Sequence, residues 1–223
     1  MPAPGLAYSP NEYAQNARRI LPFHQLIHAE AIDVVLSIHP APAAWLDTGC
    51  GPGWLVEQAR QRTPKTRFTL ADPEPAMLDL ARQRLPDFTP DQFVQAPSAQ
   101  LPAGRYDAVT AILCHHYSDV EGRRRSIRRC REVLAPGGVL VIVENVRAET
   151  EGGHAIQRRR WASWQQREGG RTAQEAEAHL AREGTSYLPI PVSLHLRLLQ
   201  EEGFATVELF WRSYAQAGLL AVL

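Results

Sequence analysis

Short apolar runs alternate with amphipathic stretches between residues 43 and 145. The runs are rich in aliphatic residues, as buried parallel strands are; they are Ala43 to Asp47, Arg67 to Ala71, Phe93 to Ala96, Tyr106 to Leu113 and Val139 to Glu144. Helical periodicity lies between them, over Trp54 to Arg62, Pro75 to Leu85 and Glu121 to Leu134. This alternation predicts an α/β protein with a doubly wound, mainly parallel sheet covered on both faces.

The segments on either side of this core are helical and, at the end, β-rich. A capping box at Ser9 begins a predicted helix to about Ile20, and Pro22 begins a second that ends near Ile38. Residues 147–186 are polar and helical, and Ser193 to Glu202 is amphipathic. Two last strands, Phe204–Trp211 and Tyr214–Leu223, predict an antiparallel pair that closes the sheet. We expect one domain over 1–223, divided into 1–40, a core at 43–145, a helical insert at 147–190 and a C-terminal part at 192–223.

The amino-acid composition limits which partners and which cellular location we expect for this chain. Lys+Arg and Asp+Glu are 24 each, which argues against an obligate polyanion such as a nucleic acid as partner. No apolar run approaches the ~20 residues that span a bilayer, and the first residues lack the basic and apolar regions of a signal peptide. The cysteines, Cys50, Cys114 and Cys130, show no ligand-like spacing, so we expect no metal site and a reducing, cytoplasmic location.

The most informative stretch is the turn that follows the first predicted strand. Asp47 ends that strand, and Gly49, Gly51 and Gly53 follow at alternate positions before a helix. Glycine lacks a Cβ and tolerates positive φ, so such a turn brings bare backbone close to a ligand. The third glycine comes too early for the dinucleotide fingerprint. A carboxylate two residues before the first glycine suits a ligand with a positively charged amine end.

This D-x-G-x-G-x-G pattern resembles motif I of the class I S-adenosylmethionine-dependent methyltransferases. The resemblance implies a Rossmann-like sheet, S-adenosyl-L-methionine as cofactor, and a helical lid formed by 1–40 with Tyr8 and Tyr13 over the cofactor. It also assigns substrate specificity to the helical insert. The residues expected to bind the cofactor are Tyr13, Asp47, Gly49, Cys50, Gly51, Asp72, Pro73, Met77, Ser98, Ala99 and Ile112.

Asp72 is the second anchor of this prediction. It ends the second predicted strand about twenty residues after the glycines, where a carboxylate accepts hydrogen bonds from both ribose hydroxyls. The structural alternative is that Asp72 caps the Asp-Pro-Glu turn. A third place departs from the family pattern, because Pro97 stands where members often carry an aspartate near the adenine. Ser98, Gln100 or a backbone carbonyl is then expected to supply the acceptor.

The segment after the fourth predicted strand carries the candidate catalytic residues His115, His116 and Tyr117. Ligands of open α/β sheets bind at the carboxyl ends of the strands, which places these side chains near the transferred methyl group. A histidine has a suitable pKa for accepting a proton from the acceptor. The alternative is that they only pack the loop. Adjacent residues rarely converge on one ion, so Cys114, His115 and His116 are not expected to bind a metal.

Basic and aromatic clusters give the remaining candidates. Ile127, Cys130 and Leu134 predict a buried stripe on one helix, with six arginines on its solvated faces: Arg123, Arg124, Arg125, Arg128, Arg129 and Arg131. The alternative is that these arginines form a phosphate-binding groove. Trp161 and Trp164 follow Arg158-Arg159-Arg160, an arrangement that fits either substrate stacking or a lid helix that packs its tryptophans inward. His195, Trp211 and Tyr214 are further substrate-pocket candidates, because the C-terminal segment resembles small-molecule and carboxy-S-adenosylmethionine-synthase-like members. For Trp211 and Tyr214, packing in the core is the alternative.

The resemblance as a whole implies a methyltransferase that acts on a small-molecule acceptor. Two alternatives stay open. One is a tRNA-modifying methyltransferase or a carboxy-S-adenosylmethionine-synthase-like enzyme, and the other is a non-catalytic protein that keeps the cofactor site. The sequence leaves open the acceptor atom, the use of a general base and the oligomeric state.

Overall fold

The computed structural model describes residues 16–17 and 19–223. Within these residues, eight strands form the sheet; seven of them correspond to predicted strands, and the two-residue β6 was not predicted. They are β1 (Ala44–Thr48), β2 (Arg67–Asp72), β3 (Phe93–Gln95), β4 (Tyr106–Ile112), β5 (Leu134–Arg147), β6 (Ile190–Pro191), β7 (Thr206–Ser213) and β8 (Gln216–Val222). The first helix predicted from the sequence, from Ser9, lies mostly outside the described residues.

Seven helices in the described part of the chain cover the sheet. They are α1 (His24–Ile38), α2 (Trp54–Arg62), α3 (Pro75–Arg84), α4 (Val120–Val133), α5 (Glu151–Arg167), α6 (Ala173–Leu180) and α7 (Val192–Glu201). The helix predicted from Pro22 begins two residues later, because Phe23 at its N-terminus has a positive φ of 58°. Thr150 and Thr172 cap α5 and α6 by accepting backbone N–H groups of Gly153 and Glu175.

The strand order is β3-β2-β1-β4-β5-β8-β7, and the short β6 pairs separately with β5. The pairs from β3 through β5 are parallel, whereas β8 runs antiparallel to both β5 and β7. This arrangement confirms the Rossmann-like α/β prediction and the antiparallel closing pair. The chain crosses from β1 outward to β3 and then back to β4, so the loops after β1 and β4 lie side by side at one edge.

The central strands are buried on both faces, since side chains of a strand point alternately to opposite sides. Leu46 belongs to an apolar cluster on one face of the sheet and Trp45 to a cluster on the other. Both residues have no exposed surface. The continuous apolar character of β4 and β5 follows from this two-sided burial. The sheet is therefore a rigid platform for the loops at its carboxyl edge.

One boundary differs from the sequence prediction. The expected strand from Val139 begins earlier, at Leu134, which pairs with Tyr106. The register then shifts, because Ala108 pairs with Val139, and Gly137 in the intervening turn has a φ of 73°. The predicted tight turn is thus present as an irregularity inside the strand.

Among the residues described, none of the helices combines the length and apolarity needed to cross a membrane.

Candidate active site

The glycine loop after β1 has the backbone conformation that its sequence requires. Gly49, Gly51 and Gly53 have φ values of 62°, 52° and 79°, a region that side chains disfavour. A Cβ on Gly49 would lie 2.3 Å from the Cβ of Cys114, whereas a Cβ on Gly51 would meet no atom within 4 Å. The loop therefore packs tightly against the segment after β4 at one glycine and presents bare backbone to open space at another.

Asp47 lies directly below this loop, with only 2% of its surface exposed. Its Oδ1 accepts a hydrogen bond from the Thr110 hydroxyl at 2.6 Å, and that hydroxyl accepts one from the indole N–H of Trp45 at 3.1 Å. Burial raises the pKa of Asp47 to about 7; the Thr110 hydrogen bond opposes this rise and the negative charge of Asp72 adds to it. A positively charged ligand group would restore the ionised form.

Asp72 faces the same loop from the end of β2. Its carboxylate accepts backbone N–H groups from Gly51 and from Glu74, each at 2.9 Å. Burial raises the pKa of Asp72, and these two hydrogen bonds oppose the rise. Asp72 therefore caps the Asp-Pro-Glu turn, as the structural alternative predicted. A carboxylate has about four acceptor positions, so two backbone donors leave capacity for further hydroxyl donors.

The other predicted cofactor residues are buried to different degrees. Cys50 and Met77 are buried, Pro73 is exposed, and Ser98 and Ala99 lie in a short turn that follows β3. The hydroxyl of Ser98 is 2.9 Å from that of Thr48, which links this turn to β1. Tyr13, together with Tyr8, lies outside the described residues.

Side chains that the sequence analysis missed complete the cavity at the glycine loop. His24 and His28 of α1 and Trp54 of α2 line it together with Asp47, Ile112 and Leu113. The ring of His24 is 4.8 Å from the rings of both His28 and Trp54. The available signal was the i, i+4 spacing of two histidines on one helix face. Leu113 has a φ of 56°, a rare conformation for a leucine.

A buried polar cluster follows β4 and centres on Glu144 of β5, which has no exposed surface. Its Oε2 lies 2.8 Å from Nδ1 of His116, and its Oε1 accepts the backbone N–H of His115 at 2.8 Å. Burial alone would raise the pKa of Glu144, but the charge and hydrogen bond of His116, then His115 and Arg123, lower it to about 2. Burial also lowers the pKa of His115 to about 4. In the sequence, the only indication of this role for Glu144 was that a single acidic residue ends an apolar strand.

Arg123 joins this cluster, so its predicted place on a solvated helix face is wrong. It is fully buried, its Nε donates to the His115 carbonyl at 3.2 Å, and its Nη2 donates to the Leu188 carbonyl. A buried charge of opposite sign, Glu144, offsets the cost of removing this guanidinium from water. The remaining arginines of α4 are exposed or half-buried, and Ile127 and Cys130 are buried as predicted.

The predicted substrate residues are distributed over three places. His195 of α7 is 2% exposed, and burial lowers its pKa to about 4 although nearby Glu144 opposes the change. Trp161 is buried, donates its indole N–H to the Ile20 carbonyl at 2.8 Å and packs with Leu113, an arrangement that favours the inward-packing alternative. Trp164 lies 6.3 Å, ring to ring, from Tyr214, and Trp211 pairs with Gly218 at the sheet edge.

Tyr117 lies beside His116, with 4.3 Å between the ring centres, and is half-buried. The geometry thus brings His115, His116 and His195 around Glu144, and Asp47 and Asp72 around the glycine loop. Trp211 stands apart from both groups. No group of three or more His, Cys, Asp or Glu residues in the described part of the chain is arranged to hold a metal ion.

Comparisons with known proteins agree with this geometry. Residues 46–138 match a family model described as a methyltransferase domain. A demethylmenaquinone methyltransferase from Thermotoga maritima is 32% identical over 116 residues, 51% of this chain and 47% of that protein. A trans-aconitate 2-methyltransferase from Acidovorax sp. (strain JS42) is 36% identical over 105 residues, 47% of this chain and 39% of that protein. The chain thus spans less than half the length of these two relatives.

A similar solved structure is that of an O-methyltransferase family protein from Burkholderia thailandensis. The TM-score is 0.67 and the sequence identity 18%, and the similarity covers 88% of this chain and 56% of that one. At this identity the comparison establishes the fold.

Proposed function

We propose that this chain, a member of the class I S-adenosylmethionine-dependent methyltransferase family by its residues 46–138, transfers a methyl group from S-adenosyl-L-methionine to a small-molecule acceptor. The family match confirms the resemblance drawn from the glycine loop. The observation that carries the proposal is the pair of buried carboxylates, Asp47 and Asp72, on the two sides of a loop whose Gly51 backbone faces open space.

The residues present fit this cofactor. Asp47 is a buried carboxylate, no cationic side chain of the described residues opposes the rise in its pKa, and it suits the amine end of a methionine moiety. Asp72 retains acceptor capacity for ribose hydroxyls beside the Gly51 and Glu74 N–H groups. We assign Ser98 and Ala99, in the short turn after β3, to the adenine. When bound, the cofactor supplies an electrophilic methyl group on a cationic sulfur.

The chain's own contribution to such a displacement is orientation and exclusion of water. Holding two reactants in line contributes on the order of 7–11 kcal/mol to lowering the barrier. The segment after β4 is the part of the molecule that borders both partners in this proposal. Its His116 is oriented by Glu144 through Nδ1, the arrangement of a base held by a carboxylate. We assign His116 the role of holding a proton at Nε2, with His115 and Tyr117 shaping the same turn.

We assign cofactor binding to residues 43–145 and choice of acceptor to the insert at 147–190. The two relatives are named for small acceptors, demethylmenaquinone and trans-aconitate. The balance of Lys+Arg and Asp+Glu, 24 each, also supports a small molecule over a nucleic acid.

Calorimetric titration with S-adenosylhomocysteine, the demethylated cofactor, tests the proposal. The native chain is expected to bind it, and Asp72→Ala is expected to weaken binding by about 1–3 kcal/mol through loss of hydrogen bonds to a carboxylate. Asp79→Ala is the matched control, because Asp79 is exposed on α3 and pairs only with Arg82 among the described residues. A folded native chain without affinity for this compound would refute the cofactor assignment, and equal affinities of both variants would refute the ribose role.

Methyl transfer itself is measured with labelled cofactor and a metabolite extract. Label in a small product supports the proposed reaction. Label in RNA, or binding without turnover, would instead support the alternatives left open by the sequence.

A further inference from the structure

An open groove on the outer face of α5 is lined mainly by arginines. Its volume is about 260 Å³, and its walls are formed by Arg159, Arg160, Ser163, Arg167 and Tyr214. None of these residues lines the cavity at the glycine loop, so the groove is a separate place on the molecule. No step of the proposed methyl transfer involves these arginines.

The periodicity of α5 brings the groove residues onto one face of the helix. Arg159, Ser163 and Arg167 are spaced at i, i+4 and i+8, and residues four positions apart lie one above the other on a helix. At 1.5 Å per residue the stripe is about 12 Å long. Arg158 belongs to a different face, because its Nη1 is 2.9 Å from Glu183. The run of three arginines in the sequence is therefore divided between two faces.

The three guanidiniums of this groove have no acidic counterpart in the part of the chain that the structure describes. No ion pair joins Arg159, Arg160 or Arg167 to an aspartate or glutamate there. The positions three and four residues away from them on α5 also hold no acid, whereas Arg147 has Glu151 four residues later as its partner. Three positive charges thus meet at one groove without compensation.

The contacts that these arginines do make are with neutral groups. Cζ of Arg160 lies 4.9 Å from the centre of the Tyr214 ring, and Nη1 of Arg167 donates to the Ser163 hydroxyl at 2.5 Å. A ring face and a hydroxyl hold a guanidinium in place without removing its positive charge. Since a guanidinium has five N–H donors, further donors remain for a ligand that enters from solvent.

Guanidiniums and a hydroxyl are donors that suit phosphate. Arginine binds phosphate oxygens through two parallel N–H bonds, and a phosphate monoester has a charge of about −1.5 to −2 at pH 7. Three positive charges therefore match a phosphate or diphosphate better than a single carboxylate. At about 260 Å³ the groove is smaller than most small-molecule pockets, which measure roughly 300–1,000 Å³, so it suits a charged end group.

A nucleic acid fits these observations less well. Its backbone presents phosphates over a long distance, whereas the stripe of arginines on α5 is about 12 Å long. The chain as a whole has 24 Lys+Arg and 24 Asp+Glu residues, so its net charge gives no general attraction to a polyanion. The positive charge is local, which favours a ligand with one or two phosphate groups.

We propose that this groove binds the phosphate or diphosphate group of an anionic ligand, at a site distinct from the glycine loop. Arg159 and Arg167 bind phosphate oxygens from two turns of α5, and Arg160 adds a third positive charge from its position against Tyr214. The Ser163 hydroxyl accepts from Arg167, so its own hydrogen is free to donate to the same ligand. This inference does not rest on the proposed methyl transfer.

Calorimetric titration with inorganic pyrophosphate tests the proposal. Saturable binding of one pyrophosphate per chain is expected, and added sodium chloride is expected to weaken it because salt screens exposed charges. Malonate, a dicarboxylate, is expected to bind roughly tenfold or more weakly than pyrophosphate. A chain that binds no pyrophosphate, or that binds malonate equally well, would overturn the inference.

Two double variants locate the binding. Arg159→Gln with Arg167→Gln is expected to weaken pyrophosphate binding by roughly tenfold or more without lowering the unfolding midpoint, since both side chains are exposed. The matched control is Arg125→Gln with Arg197→Gln, which removes the same charge from exposed positions on α4 and α7, and native-like binding is expected. Equal affinities of the two double variants would mean that the groove does not hold the anion.

Titration of the chain preloaded with S-adenosylhomocysteine separates this site from the cofactor site. Pyrophosphate is expected to bind with the same affinity in the presence and absence of that compound. Competition between them would place pyrophosphate at the glycine loop and overturn the inference, while leaving the cofactor assignment intact.

Vesicles identify the source of the phosphate group. Sedimentation with phosphatidylcholine vesicles that contain phosphatidic acid, lost in the variant of Arg159 and Arg167, would support a lipid headgroup as the ligand. Pyrophosphate binding without such sedimentation would support a soluble phosphate ester. A single-stranded RNA that binds when pyrophosphate does not would overturn the inference and indicate a nucleic-acid partner.

Discussion

Two buried carboxylates at the carboxyl edge of one sheet have opposite electrostatic environments. Asp47 of β1 is 2% exposed and Glu144 of β5 is fully buried. Burial raises the pKa of Asp47 to about 7, with one hydroxyl donor as the main opposing contact. Burial acts on Glu144 in the same direction, yet His116, His115 and Arg123 lower its pKa to about 2. Equal burial therefore produces opposite shifts, because only Glu144 has a buried guanidinium, that of Arg123, and hydrogen-bonding histidine residues beside it.

The opposite pKa shifts indicate a structural role for Glu144 and a binding role for Asp47. The positive charge that balances Glu144 comes from the chain, so this acid stabilises the fold with or without a ligand. The positive charge that would balance Asp47 has to come from a bound molecule. A ligand that brings its own cation is a direct match for such a group.

The largest expected effect is at Glu144. Glu144→Gln leaves Arg123 buried without its counter-charge and His116 without its carboxylate, and is expected to lower the free energy of unfolding by about 3–5 kcal/mol. Urea denaturation monitored by circular dichroism measures it. Glu208→Gln is the control, since Glu208 is exposed on β7, and is expected to stay near the native value. A native-like Glu144→Gln would mean that the cluster contributes no net stability.

Asp47→Asn is expected to lower the affinity for the cofactor without lowering the stability of the fold, the opposite of what we expect for Glu144→Gln. The amide removes a charge that the ligand-free fold disfavours, so the free energy of unfolding at pH 8 is expected to be unchanged or higher. Affinity for S-adenosylhomocysteine is expected to fall by about 1–3 kcal/mol, since a charged hydrogen-bond partner is lost. Denaturation and calorimetry on the same sample measure both quantities. A variant that binds normally would remove Asp47 from the cofactor site.

A pH dependence follows from the same pKa values. Asp47 binds more protons in the folded than in the unfolded chain between pH 4 and 7, so its contribution to stability is complete below 3.8 and is lost as the pH rises through about 7. Glu144 contributes to stability above pH 4.5 and loses its contribution as the pH falls towards 2.

Because the ionised form of Asp47 is the one expected to bind the cofactor's amine end, cofactor affinity is expected to rise between pH 5 and 7, by at most about tenfold per pH unit.

Calorimetry in buffers of different ionisation enthalpy measures the proton released on binding. Asp47→Asn is expected to show a flatter profile, and the slope that remains reports the other titratable groups at the loop, Asp72, His24 and His28. A profile as steep as that of the native chain would assign the pH dependence to those other groups.

The parts of the site that lie close together in the sequence were predictable from it. Asp47, the three glycines and Asp72 stand at the ends of adjacent strands, and strand order alone brings such ends together. Glu144 was read only as the end of a strand, because its partners come from the turn after β4 and from α4. Helical periodicity marks apolar residues as buried, so it could not identify Arg123, whose burial depends on a carboxylate 21 positions away in the chain.

The same limit applies to a small cavity whose walls combine the end of β5, one face of α5 and the segment 183–189. The sequence predicted helices there, but not which residues of α5 face inward, since α5 mixes charged and aromatic residues on all sides. Trp161 illustrates this: both stacking on a substrate and inward packing were compatible with its position, and only tertiary contacts distinguish them.

The contact between Gly49 and Cys114 has a mechanical consequence. Since the backbone of Gly49 packs directly on the side chain of Cys114, we expect the glycine loop and the turn that carries the histidines to move together. A ligand held by that loop would then keep its distance from those histidines.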